Sequence, residues 1–124
     1  MNGTQRLADF DQCACDDALL QHVAALQTLC LAACQHAGVT VVAHAFHQFP
    51  DGGATGAVVL AESHLAVHTW PELRAVTLDI YVCNYQQDNS ARVQMLYEFL
   101  HAAFMPQRVE TQRILRGRHG VRLC

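Results

Sequence analysis

Between Ala61 and Glu72 the chain reads Ala-Glu-Ser-His-Leu-Ala-Val-His-Thr-Trp-Pro-Glu, so two hydroxyls, two imidazoles, an indole and two carboxylates crowd into one apolar, strand-like stretch. Polar groups in such a setting either find partners or do chemistry, and a single Ser or His there is usually just satisfied. Three reaction types fit this set. In a hydrolase Ser63 is the nucleophile, His64 or His68 the base and Asp79 its orienter, although no Gly-x-Ser-x-Gly turn presents the serine. In a cysteine-centred site Cys83 pairs with His68, both near the ends of neighbouring predicted strands, or serves as a neutral proton donor. In the third, Ser63 Oγ attacks the carbonyl carbon of Glu62 and an ester replaces the peptide bond. β-Elimination then releases the upstream chain and leaves a pyruvoyl group at position 63, with Thr55 and His68 as available donor and base. Spacing alone does not choose among them.

The elements that must position these residues read clearly in outline. Arg6 to Cys13 suggests a first strand. Asp16 and Asp17 open a helix carrying Leu20, Val23, Ala24, Leu31 and Cys34, and Gly38 stops it. Val39 to Phe46 is a β-branched strand, followed by the turn-forming Phe49-Pro50-Asp51-Gly52-Gly53. Gly56 to Ala61 and Leu65 to Trp70 are further strands, with a tight turn expected at Ser63 and another from Pro71 into Ala75 to Cys83. That last strand alternates Val76, Leu78, Ile80 and Val82 with Thr77, Asp79, Tyr81 and Cys83. A second helix follows Asp88-Asn89-Ser90, with Val93, Leu96, Tyr97, Leu100 and Phe104 as its stripe; Pro106 ends it before a strand from Arg108 to Leu115. The predicted class is α+β, a two-layer sandwich whose mainly antiparallel sheet is covered on one face by two helices. Its bare face is expected to bear His44, Tyr81 and Cys83.

Length and composition narrow the classes further. A chain of 124 residues makes one domain, and 52% hydrophobic against 15% charged residues leaves apolar surface for a second copy, so a homo-oligomer is expected. A net charge of -3 provides no basic stripe for nucleic acid; Arg113, Arg116, Arg118 and Arg122 read as a solvated or phosphate-compatible tail. No run reaches the ~18 apolar residues of a membrane span and no signal sequence opens the chain, so a cytoplasmic protein is expected. Its cysteines, Cys13, Cys15, Cys30, Cys34, Cys83 and Cys124, are then expected as reduced thiols. Without Cys-x-x-Cys or His-Glu-x-x-His spacing, no metal site is expected.

Four segments carry a resemblance: Phe46-His47-Gln48-Phe49, Gly53-Ala54-Thr55-Gly56, the stretch from Ala61 to Glu72, and Asp79-Ile80-Tyr81-Val82-Cys83. Together they closely resemble the small prokaryotic form of S-adenosylmethionine decarboxylase. The resemblance implies a proenzyme that cuts itself between Glu62 and Ser63 into a β chain, 1–62, and an α chain, 63–124, within a single domain spanning 1–124. It implies that Ser63 becomes a covalent pyruvoyl cofactor whose ketone forms a Schiff base with S-adenosylmethionine and accepts the electrons left by carbon dioxide. It further implies Cys83 as proton donor, His68 and Thr55 as processing residues, and Phe49, Leu65, Trp70 and Glu72 around the nucleoside. A flat ring suits adenine and the sulfonium cation, and a carboxylate suits the ribose diol. Thr55 stands where serine is frequent in the family, and Asn84 where glycine is common. The product would be the aminopropyl donor for spermidine synthesis.

The same resemblance implies a homodimer with sheets face to face, a four-layer αββα arrangement with shared active sites. Ser63 and His68 are an odd number of residues apart, which on a regular strand sends them to opposite faces; partners from two protomers, or a turn at Ser63, would reconcile them. The alternatives are a pyruvoyl-dependent decarboxylase of arginine or ornithine on the same fold, and a noncatalytic regulatory partner.

Overall fold

A computed structural model describes residues 2–61, 63–84 and 88–117. Six strands and three helices follow in the order β1 (Asn2–Cys13), α1 (Asp17–Gln21), α2 (Val23–Ala37), β2 (Val41–Gln48), β3 (Ala54–Leu60), β4 (Ser63–Trp70), β5 (Ala75–Cys83), α3 (Ser90–Phe104) and β6 (Pro106–Gly117), with a 3-10 turn at Pro71–Leu73 between β4 and β5. The strands form one antiparallel sheet in the order β2-β3-β4-β5-β1-β6. The α+β expectation holds, with helices against one face of the sheet.

Alternation decides which face. Val58, Leu60, Leu65, Val67, Val76, Leu78, Ile80 and Val82 are buried, and they share the core with Leu26, Cys30 and Cys34 of α2 and Val93, Leu96, Leu100 and Phe104 of α3. Burying such side chains contributes roughly 1.5 to 3 kcal/mol each before entropy is counted. At the other end of the sheet Phe10 of β1 meets the edges of Tyr97 and His101 of α3, at ring-centre distances of 5.9 and 5.5 Å. Intervening residues such as Ala57, Val59, His64, Ala66, His68, Asp79 and Tyr81 lie on the opposite face, which no described element covers.

Several local expectations change. The first predicted helix is two: His22 is extended, at φ -113°, and separates α1 from α2. Its backbone break has a cause, because the Gln48 side chain accepts from the Val23 N–H at 2.7 Å and so caps α2 from another strand. His44 lies opposite Val58, a core residue, and therefore belongs to the helix-side set and not to the bare face. It stays exposed because β2 is the sheet edge. Ser63 begins a regular strand rather than sitting in a tight turn. Cys13, Cys15, Cys30 and Cys34 are free thiols, whereas Cys83 is disulfide-bonded, which departs from the reduced state expected there. Glu62, Arg118, Arg122 and Cys124 lie outside the described residues.

Candidate active site

The expected site residues fall into two groups at opposite ends of the sheet. At one end β4 starts with Ser63, paired with Val82, so that Ser63 neighbours the rung occupied by Cys83 and Gly3. Ladder parity gives Ser63 the helix side, where it is half-buried, and gives Cys83 the bare side. Beside them His64 Nε2 lies 3.7 Å from Asp79 Oδ2. Asp79 also accepts from Gln5 at 2.9 Å, and Arg116 in turn donates to Gln5 and stacks over Tyr81.

The second group gathers five residues further along β4. Thr55 and His68 are directly paired across the β3–β4 ladder, with Thr55 Oγ1 2.7 Å from His68 Nδ1. Trp70 follows on the same face, its ring tilted against His68 at 6.0 Å. Phe49 leads the β2–β3 turn, 44% exposed, with its ring meeting His47 edge-on at 5.0 Å. Glu72, on the 3-10 turn, is exposed and opens onto a cavity of about 410 Å³ that also touches Gln12, Cys13 and Gln107.

Several expected combinations therefore do not form within one chain. At ~3.3 Å per strand residue, Ser63 and His68 are about 16 Å apart along β4 and on opposite faces. His68 pairs with Thr77, six residues from Cys83, so the Cys83–His68 dyad is ruled out within the protomer at roughly 20 Å. The Ser-His-Asp arrangement fails as well, because Asp79 meets His64 on the face away from Ser63. Leu65, expected near substrate, is fully buried in the core and its side chain offers a ligand no surface. Among the described residues no group of three or more His, Cys, Asp or Glu gathers as a metal site would, and no helix is long and apolar enough to cross a membrane.

Both turns of the second group are tied to α1, a role the sequence did not reveal. Gln48 Nε2 donates to the carbonyls of Gln21 and Gly53, each at 2.8 Å, and Gly53 N–H donates to Gln21 O at 3.1 Å. A side chain at Gly53, where φ is +93°, would press on Thr69 O and Pro71 at 3.0 Å, so glycine lets the two turns approach. Thr69 Oγ1 donates to Leu20 O at 2.8 Å and accepts from Ala54 N–H at 2.9 Å. Arg74, just past Glu72, donates to Cys13 O at 2.7 Å, to Cys15 O and to the Asp17 carboxylate. A threonine at a core-parity position was the one available signal.

Electrostatics separate the remaining thiols from chemistry. Burial pushes Cys30 up to about 12 and Cys34 up to about 11, and burial, helped by the neighbouring Cys15, pushes Cys13 up to about 11. These thiols stay neutral at physiological pH and are packing groups.

Comparison with known proteins identifies the family. Residues 4–117 match the family model described as S-adenosylmethionine decarboxylase. An S-adenosylmethionine decarboxylase proenzyme of Acidithiobacillus ferrooxidans is 36% identical over 93% of this chain and 82% of its own length. The proenzyme of Thermoplasma volcanium is 35% identical over 93% of this chain and 84% of its own. The crystal structure of the adenosylmethionine decarboxylase from Aquifex aeolicus superposes with a TM-score of 0.85 at 30% identity, covering 94% of this chain and 92% of that one. A family model matched over residues 4–117, with relatives 36% and 35% identical over most of their own length, assigns the chain to the S-adenosylmethionine decarboxylase family.

Proposed function

We propose that this chain is a self-processing, pyruvoyl-dependent carboxy-lyase that converts S-adenosylmethionine to its decarboxylated aminopropyl donor for spermidine synthesis, in the cytoplasm. The observation that carries the reading is the Thr55–His68 couple, a base and hydroxyl held together on an uncovered sheet face in a chain of this family.

Processing follows from ordinary acyl chemistry. Ser63 Oγ adds to the carbonyl carbon of residue 62, the C–N bond breaks, and an ester forms with the amine freed. Loss of the Ser63 α-proton to a base then expels the ester carboxylate as the new end of the 1–62 chain. The resulting enamine tautomerises, and water hydrolyses it to the keto group with release of ammonia. His68 is the proposed base or its positioning partner, and the Thr55 hydroxyl the proposed oxyanion donor. Ser63 suits this role, being half-buried at a strand start next to the Cys83 rung. When present, the pyruvoyl group supplies an electron sink for the carbanion left by carbon dioxide.

The remaining residues would act on substrate directly. Cys83 returns a proton to the substrate carbon, which requires its thiol in the reduced state. Phe49 stacks on adenine, Trp70 borders it, and Glu72 accepts from the ribose hydroxyls.

The two-ended layout supports a homodimer with shared sites. Two copies packed sheet to sheet about a two-fold axis, strands reversed, bring the Thr55–His68 end of one over the Ser63–Cys83 end of the other. Small residues along the bare face, Ala43, Ala45, Ala57 and Ala66, permit the close approach this needs.

Denaturing intact mass tests processing: two fragments split before Ser63, the second blocked to Edman degradation, are expected. Release of carbon dioxide from S-adenosylmethionine, but not from arginine or ornithine, tests substrate. A chain that stays whole on prolonged incubation, or one that favours either amino acid, overturns the reading.

A further inference from the structure

Arg6 and Arg113 oppose each other directly across the β1–β6 ladder, on the helix-covered side. Like charges in that relation destabilise a sheet unless something neutral or negative intervenes. Among the described residues neither forms an ion pair. Arg6 donates from Nη2 to Gln94 Oε1 at 2.8 Å, and its guanidinium stacks 4.5 Å over the Tyr97 ring. Its Nε is nevertheless buried with no acceptor, the one buried side-chain nitrogen or oxygen so placed among the described residues. Water does not reach that nitrogen, so a bound ion would meet the guanidinium through its other nitrogens and offset the charge that this burial leaves uncompensated.

Space for one is present. A cavity of about 240 Å³ is lined by Thr4, Arg6, Ser90, Val93, Gln94 and Arg113, several times the roughly 30 Å³ that one water takes up in the liquid. The neighbouring carboxylates are engaged elsewhere: Asp88, just before α3, accepts from the N–H and hydroxyl of Ser90, and Glu98 of α3 accepts from the Gln94 amide. Neither is paired with Arg6 or Arg113. We propose that this cavity binds a small dianionic oxyanion of the phosphate class between Arg6 and Arg113, whose planar donor forks suit its oxygens.

The site is separate from the substrate residues and stands without the catalytic reading. Its wall nonetheless adjoins the processing end, since Thr4 pairs with Val82, the rung of Ser63, and Asn89, next to Ser90, donates to Cys83 O at 2.9 Å. An ion there therefore sits against the segment that fixes the end of β5.

The test is thermal unfolding of the full-length chain in phosphate, acetate and chloride at matched ionic strength, together with the Arg6 Nε–H resonance. Phosphate should raise the melting temperature saturably and shift that resonance, with acetate and chloride inert. Arg113→Gln should weaken the phosphate response roughly tenfold, the loss of one charged donor fork. Arg113→Glu places a carboxylate opposite Arg6, so it should melt no lower than wild type in chloride and lose the phosphate response altogether. Both changes are on an exposed edge position, which protects the fold. Acetate acting as well as phosphate, or a full phosphate response in Arg113→Glu, overturns the proposal.

Discussion

The Thr55 hydroxyl lies 2.7 Å from His68 Nδ1, so the imidazole is held by a neighbouring strand with its Nε2 directed away. One ring nitrogen fixed by a hydroxyl leaves the other to accept or give a proton. Thr55→Val keeps the shape and removes the bond, and we expect it to slow self-cleavage about 100-fold, within the range for acid–base groups. Thr55→Ser should cleave normally. The check is the disappearance of intact chain in freshly synthesised protein, and cleavage of Thr55→Val at the wild-type rate would refute the role.

Separation of Ser63 from His68 by about 16 Å of regular strand makes a second, sharper prediction. Ser63→Ala and His68→Ala should each remain uncut alone. Co-expressed, they should form mixed dimers in which, on the proposed shared-site arrangement, one site combines the intact Ser63 of one copy with the intact His68 of the other. Mass spectrometry should then find cut His68→Ala chains and no cut Ser63→Ala chains. An absence of cleavage in the mixture, with mixed dimers demonstrated, would place both residues in one protomer's site.

Cys83 is disulfide-bonded here, and a bonded sulfur has no proton to donate. Decarboxylation should accordingly rise from near background on adding a thiol reductant to oxidised enzyme, with the extent of self-cleavage unchanged. Cys83→Ala should lose about 100-fold or more in kcat and still cleave. The buried Cys13, Cys30 and Cys34, pushed up to about 11, 12 and 11, are neutral below those values and should resist alkylation at pH 8 in the folded chain. Modification of Cys30 at the rate of an unfolded control would contradict that burial.

How much of this was legible beforehand varies with the physics involved. β5 could be read residue by residue because its alternation of Val76 to Val82 with Thr77 to Cys83 is unbroken. In β2 the two alternating sets were equally evident, yet their direction was not: a register shift between Val41 and Ala43, on an edge strand, decides that His44 faces with Val58. The break at His22 was hidden because apolar spacing runs through it, while its cause is Gln48, twenty-five residues away in sequence from the Val23 it caps. Residue types at the site were legible as a set; their division between two ends was not, because pairing of Ser63 with Val82 and of His68 with Thr55 is a tertiary fact.

Arg74 offers a last prediction, one that connects stability with substrate binding. It adopts φ +47°, unusual for a residue with a side chain, immediately after the turn carrying Glu72, and its guanidinium bridges Cys13 O, Cys15 O and Asp17. That bridge holds the Glu72 turn to the start of α1, while Gln48 holds the Phe49 turn to its end. The two proposed nucleoside contacts thus share one short strut. Removing the guanidinium leaves the Cys13 and Cys15 carbonyls without it, and for a partly exposed network we expect Arg74→Ala to cost roughly 1 to 3 kcal/mol. Its kinetic signature should be a raised KM for S-adenosylmethionine with kcat and self-cleavage largely kept, partly rescued by Arg74→Lys. Loss of kcat at constant KM would show instead that Arg74 acts on the reacting atoms rather than on the position of Glu72.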